Sequence, residues 1–140
     1  MRKFQFLEFA TADIAFEAYG KNLNELFENA AIALFEIMTD INKVEAKKSV
    51  RIEIDGSNVE ELLFNWLNEL IFYVDAENMF FSKFKVKINE EQCKLYAECK
   101  GENIDPERHE LRTQVKACTY HKLKVEKEED KWVARVLVDV

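Results

Sequence analysis

FATADIAFEAYGKNLNELFENAAIALFEIM, residues Phe9–Met38, sets the architecture expected of this chain. It opens on an acidic turn, Ala10-Thr11-Ala12-Asp13, and continues as an alternating run in which Ile14, Phe16 and Ala18 share one side. That period of two predicts a strand, ended by Gly20. Asn22 then offers an N-cap, with Glu25 three residues on as its reciprocal partner. Leu23, Leu26, Phe27, Ala30, Ala31, Leu34, Phe35 and Met38 follow at the spacing of one helix face, which predicts core packing. Asp13 is a short charged group between two apolar runs. A carboxylate held by rigid neighbours is a candidate site residue.

Upstream, Phe4, Phe6, Leu7 and Phe9 predict a first strand. Downstream, Val44 to Asp55 alternates and predicts a strand, at least from Ser49. Asp55-Gly56-Ser57 is turn chemistry, and Ser57 with Glu60 reads as a second capping box. The helix from Val59 to Val74 is apolar on more than one side. Leu62, Leu63, Trp66, Leu67, Leu70 and Ile71 form its stripe, widened by Phe64, Phe72 and Tyr73. Such a helix belongs inside, or at an interface. Phe84–Ile88 and Leu95–Cys99 alternate around the turn Asn89–Gln92, a hairpin with one wet face. Gly101–Glu110 reads as a polar loop, Val115–Val125 as a long strand, Glu126–Lys131 as a charged turn and Trp132–Val138 as a last strand. The order β-β-α-β-α-β-β-β-β, without repeat or linker, predicts one α+β domain over residues 1–140. Its expected form is a mainly antiparallel sheet with two long helices packed on one face.

The chain has 140 residues, enough for one sizeable core, with 48% hydrophobic and 34% charged residues, as in a globular protein. A net charge of -7 and a pI of about 5.0 argue against a broad phosphate-gripping surface. Lys83, Lys85 and Lys87 could form a local basic patch or be solvated edge residues. Few glutamines beside abundant Lys and Glu lean toward a thermophile's composition. Three cysteines, Cys93, Cys99 and Cys118, lack Cys-x-x-Cys spacing and imply a reducing compartment. Cys93 and Cys99 would share one strand face as small buried residues. A zinc site with His109 or His121 has the wrong ligand spacing. The N-terminal apolar run is too short for a signal peptide and is broken by Gln5 and Glu8. With no run long enough to span a bilayer, a soluble cytoplasmic protein is expected, with no membrane partner.

Phosphate-loop, Gly-x-Ser-x-Gly and His-Glu-x-x-His signatures are all missing. A Cys118–His121 thiol pair is weakened because residues three apart on a strand point to opposite faces. Carboxylates are the better lead. Asp13 lies at the rim between the first strands, and Asp139 is next to last in an apolar strand. The α-carboxylate of Val140 adds a third hard oxygen group. If the last strand lies beside the first two, these groups converge, and they repel unless a cation joins them. Hard oxygens suit calcium, magnesium or manganese more than zinc. The alternative is a solvated turn aspartate and a frayed tail.

Glu8-Phe9-Ala10-Thr11-Ala12-Asp13-Ile14, with Ala18-Tyr19-Gly20, resembles the opening of the archease family. Leu26-Phe27-Glu28-Asn29-Ala30-Ala31, Glu61–Ile71, Val115-Lys116-Ala117-Cys118-Thr119-Tyr120-His121 and the closing Val138-Asp139-Val140 extend the resemblance along the chain. It implies an accessory protein, not an enzyme. Such a protein promotes guanylylation of an RtcB-type RNA ligase of tRNA splicing, lets the ligase turn over repeatedly and widens its nucleotide use. RNA would be met only through the ligase. The resemblance also implies a metal site of Asp13, Asp139 and Val140, with calcium the associated ion. It gives Lys116 a place facing ligase or nucleotide, where a plain surface lysine is the alternative. The chain departs from the family at Ala10, where a histidine is usual. Two other classes stay open: a chaperone-like partner of another RNA-processing enzyme, such as a tRNA methyltransferase, and a free-standing metal-dependent hydrolase, which lacks an acid–base pair beyond the acidic cluster. Oligomeric state is not set by the sequence.

Overall fold

The strands that alternation predicts pair antiparallel throughout, in a computed structural model that describes residues 2–7 and 13–140. The expectations for Phe9, for Ala10-Thr11-Ala12 and for the family's histidine position lie outside these residues. The elements are β1 (Phe4–Leu7), β2 (Asp13–Gly20), α1 (Leu23–Met38), a short 3-10 turn at Ile41–Lys43, β3 (Lys48–Asp55), α2 (Val59–Glu77), β4 (Met79–Asn89), β5 (Lys94–Asn103), β6 (Ala117–Glu128) and β7 (Lys131–Asp139).

The seven strands divide into two sheets where one was expected. One sheet has the order β1-β2-β7-β6, the other β3-β5-β4. Alternation fixes which face of a strand is wet but not which strand lies beside it. The helices do not share one face of one sheet. α1 packs on β2 of the first sheet and β4 of the second, and α2 meets β6 as well as β3, β4 and β5. Between them lies one apolar core containing Phe16, Phe27, Phe35, Trp66 and Phe81, all fully buried. The Trp66 indole N–H donates to the Phe27 carbonyl at 3.0 Å, which ties α2 to α1.

Local chemistry explains the helix ends. Asn22 is extended, its Oδ1 accepts the Glu25 N–H at 2.9 Å, and Glu25 accepts the Lys21 N–H at 3.0 Å. The second helix repeats this arrangement one residue later than expected. Asn58, not Ser57, is the cap, accepting from Glu61 at 2.8 Å, while Glu61 rather than Glu60 reaches back to the Ser57 N–H at 3.0 Å. α2 runs on to Glu77 and stops at Asn78, whose left-handed backbone, φ 56°, is a common helix ending. At Gly101 the backbones of β4 and β5 approach so closely that a Cβ would lie 1.9 Å from the Phe80 carbonyl oxygen.

Helix side chains also close the free edge of β4. Glu28 accepts the Val86 N–H at 2.8 Å and Asn24 accepts that of Ile88 at 2.9 Å. No helix among the described residues is long and apolar enough to cross a membrane.

Candidate metal centre

β2 and β7 run antiparallel from Gly20 opposite Trp132 to Asp13 opposite Asp139, their final pair. Alternation sends Phe16 and Ala18 into the core. Asp13, Ala15 and Glu17 therefore share the other face with Asp139, Leu137 and Arg135. On that face Arg135 grips Glu17, with Nε at 3.0 Å and the second guanidinium nitrogen at 2.5 Å from Oε2. This pair holds the register four residues from Asp13.

At the end of the ladder the Asp139 carboxyl acts on that of Asp13. A hydrogen bond to Asp139 is the first cause of a raised pKa at Asp13, followed by partial desolvation and repulsion from the Asp139 charge. His121 acts weakly in the opposite direction. Two acidic groups in this position favour either a shared proton or a cation. The oxygen donors fit a hard divalent ion better than a soft one. The pair is an incomplete ligand set, since among the described residues no three His, Cys, Asp or Glu side chains gather at one point. Further oxygens would have to come from Val140, whose side chain packs against the core, from main chain or from water.

The other side of Asp139 is bounded by β6. Ala117 stands opposite Asp139, and the Lys116 N–H donates to the Asp139 carbonyl at 2.8 Å. Lys116 is exposed and makes no ion pair among the described residues. After Thr119 the β6–β7 register slips, and Lys124 next faces Arg135. The long uniform strand expected over Val115–Val125 is therefore interrupted. Lys122 takes φ 59°, a strained value for a side-chain-bearing residue, and Tyr120, within β6, packs on Phe64 with ring centroids 4.9 Å apart.

The thiols take no part. Cys118 is buried and its pKa is pushed up to about 12 by desolvation, so it is no thiolate, and His121 is exposed. Cys93 sits in the turn before β5 with φ 52°, outside the expected strand, and packs half-buried against the core that fully buries Cys99. His109 is fully engaged, accepting the Asp105 N–H on Nδ1 at 2.9 Å and meeting Glu102 through Nε2 at 2.9 Å. Lys83, Lys85 and Lys87 are exposed on edge strand β4, and Glu98 and Glu53 interrupt the sheet face they share.

Two groupings had no signal in the sequence. Glu102, buried at the end of β5, accepts the Glu45 N–H at 2.7 Å and binds His109 and Arg108. Asn68 of α2 meets the backbone of Cys118 at two points. Both join residues distant in the chain.

Comparison with known proteins agrees with this architecture. The sequence model of the Archease protein family (MTH1598/TM1083) matches residues 4–140. A protein archease of Sulfurisphaera tokodaii is 49% identical over 140 residues, covering 100% of both chains. The solution structure of Methanobacterium thermoautotrophicum protein 1598 is 43% identical, covers 100% of both chains and superposes with a TM-score of 0.86. A crystal structure from Thermotoga maritima, described as an archease and possible chaperone, is 25% identical with a TM-score of 0.69, covering 100% of this chain and 98% of the other.

Proposed function

The chain belongs to the archease family, and we propose that within it this protein is an accessory factor of an RtcB-type RNA ligase, with no catalysis of its own. In this reading it promotes guanylylation of the ligase, permits repeated turnover and widens nucleotide use. It meets RNA only through the ligase.

The observation that carries the reading is the pairing of Asp13 with Asp139 at the open end of the β2–β7 ladder. Asp13, Asp139 and Val140 would hold a divalent cation, calcium first, with magnesium or manganese as substitutes. Bound there, the ion would supply positive charge against phosphate oxygens. The chain's own residues do the positioning. The Glu17–Arg135 pair and the buried Phe16 and Ala18 keep β2 from sliding on β7, so both carboxylates emerge on one face. Lys116, hydrogen-bonded through its N–H to Asp139, offers an ammonium group on the flank of the pair, suited to an anionic partner.

The test is ligase guanylylation at limiting nucleotide, with and without this protein. Asp139→Ala is expected to remove the stimulation while the melting temperature holds. Undiminished stimulation by that variant overturns the reading.

A second reading follows from the description of the Thermotoga relative as a possible chaperone. It would make this protein a companion of an enzyme such as a tRNA methyltransferase. The apolar second helix gives it limited support, because most of its apolar residues are spent on the core and Phe72, 53% exposed, is the main one facing outward. The partner recovered with the protein from its own cell extract separates the two.

A further inference from the structure

We infer that Asn68 is a positioning residue for the acidic pair: its carboxamide takes the place of an absent neighbouring strand at Cys118, and so fixes Asp139 and Lys116. For its functional consequence the inference rests on the accessory role proposed above.

The need for such a device follows from the topology. β6 is the outermost strand of its sheet, with β7 on one side only. Its regular pairing at this end covers Ala117, Cys118 and Thr119, opposite Asp139, Val138 and Leu137, before the register slips. The preceding residues, 104–116, contain no strand or helix. The segment beside Asp139 is thus a three-residue ladder between an irregular strap and a bulge. A ladder that short, at a sheet edge, opens readily unless something else holds it.

Asn68 holds it. Its Oδ1 accepts the Cys118 N–H at 2.9 Å, and its Nδ2 donates to the Cys118 carbonyl at 3.3 Å. A carboxamide can give and receive at once, as a strand's own peptide group does. Asp could only accept at neutral pH, and Leu could do neither. The clamp is rigid because α2 is anchored by fully buried Trp66, Leu67 and Leu70 on either side of Asn68. One residue before the clamped Cys118 stands Ala117, opposite Asp139, and one before that is Lys116, whose N–H is bonded to the Asp139 carbonyl. Loosening Cys118 therefore loosens one flank of Asp139 and lets Lys116 drift, with no carboxylate removed.

The same helix supplies a control. Asn65, one turn earlier, donates through Nδ2 to the Asp55 carbonyl at 2.8 Å. It makes the same kind of side-chain-to-strand contact, but with the other sheet and away from the acidic pair. Asn65→Leu matches Asn68→Leu in chemistry and differs in which sheet it releases.

The test uses the full chain with Asn68→Leu, Asn68→Asp, Asn65→Leu and Asp139→Ala. It reads amide exchange at Lys116, calcium affinity by titration calorimetry, and ligase guanylylation. Asn68→Leu is expected to speed Lys116 exchange, to weaken calcium binding by about tenfold or more, the usual effect of removing a group that orients a metal ligand, and to reduce stimulation in proportion. Asn68→Asp keeps the acceptor and should fall between it and the native chain, which preserves the test if the leucine variant folds poorly. Asn65→Leu should lose stability but neither affinity nor stimulation. Asn68→Leu and Asn68→Asp that bind calcium and stimulate as Asn65→Leu does, while Asp139→Ala is defective, overturn this inference and leave the accessory role standing. Native behaviour of Asp139→Ala overturns the accessory role itself, and with it the function assigned to the clamp.

Discussion

Glu102 and His109 meet in the protein interior, Oε2 to Nε2, at 2.9 Å. The Asp105 N–H occupies Nδ1, so a neutral His109 carries its proton on Nε2 and donates it to Glu102. Burial pushes the Glu102 pKa up. The Glu45 N–H, His109 and Arg108 outweigh that effect and bring it from the ordinary 4.5 to about 2.

A carboxylate held below its ordinary pKa stabilises the fold wherever it is ionised, and that contribution disappears as pH falls through the folded value. The contribution of Glu102 is complete above pH 4.5 and lost progressively down to about pH 2. Acid unfolding followed by circular dichroism should therefore steepen in that window. Glu102→Gln should flatten the dependence there and cost roughly 2 kcal/mol at neutral pH, the scale of a buried charge-assisted hydrogen bond. A variant with the native acid profile would show that Glu102 is not the group responsible.

Calcium should raise the melting temperature of the native chain, since a ligand that binds only the folded state stabilises it by mass action. Asp139→Asn should remove that response. Without cation the same variant should melt no lower than the native chain, because it relieves the repulsion that Asp139 exerts on Asp13. Scanning calorimetry with calcium and with a chelator checks both halves.

Trp66 is fully buried and its indole N–H bonds the Phe27 carbonyl. Trp66→Phe leaves a cavity and removes the second hydrogen bond that the helical Phe27 carbonyl accepts, with an expected loss of about 2–4 kcal/mol in urea unfolding. A loss below about 1 kcal/mol would mean that α1 and α2 repack without this link.

Gly101→Ala should be worse than its single methyl group suggests. The added carbon would sit 1.9 Å from the Phe80 oxygen and 2.7 Å from the Phe81 Cα, both backbone atoms. Only a shift of β4 against β5 relieves that, and overpacking of this kind costs on the order of 3 kcal/mol. Soluble, native-like Gly101→Ala would show that the two strands can separate locally.

Much of the framework was legible because it is written in short periods. The helix face from Leu23 to Met38, the Asn22 cap and the element order all follow from residues within a few positions of each other. The juxtaposition of Asp13 with Asp139 was reachable only by supposing that the last strand lies beside the first two. What escaped reading depends on partners far along the chain. The split into two sheets, the slip after Thr119, the Asn68–Cys118 clamp and the Glu102–His109 contact are tertiary choices with no local period. Ser57 misled for a smaller reason: Ser and Asn both cap helices well, and only backbone geometry shows that Asn58 is the residue in the extended conformation.

Both sheets end on one side against polar groups lent by a helix: Glu28 and Asn24 along β4, Asn68 along β6. A visiting polypeptide cannot lengthen either sheet at those points without first evicting them. The four-residue β1 and the charged β3 are the outer strands left for such an addition. At those points of β4 and β6 the backbone zippering that drives sheet proteins into fibres is thereby barred.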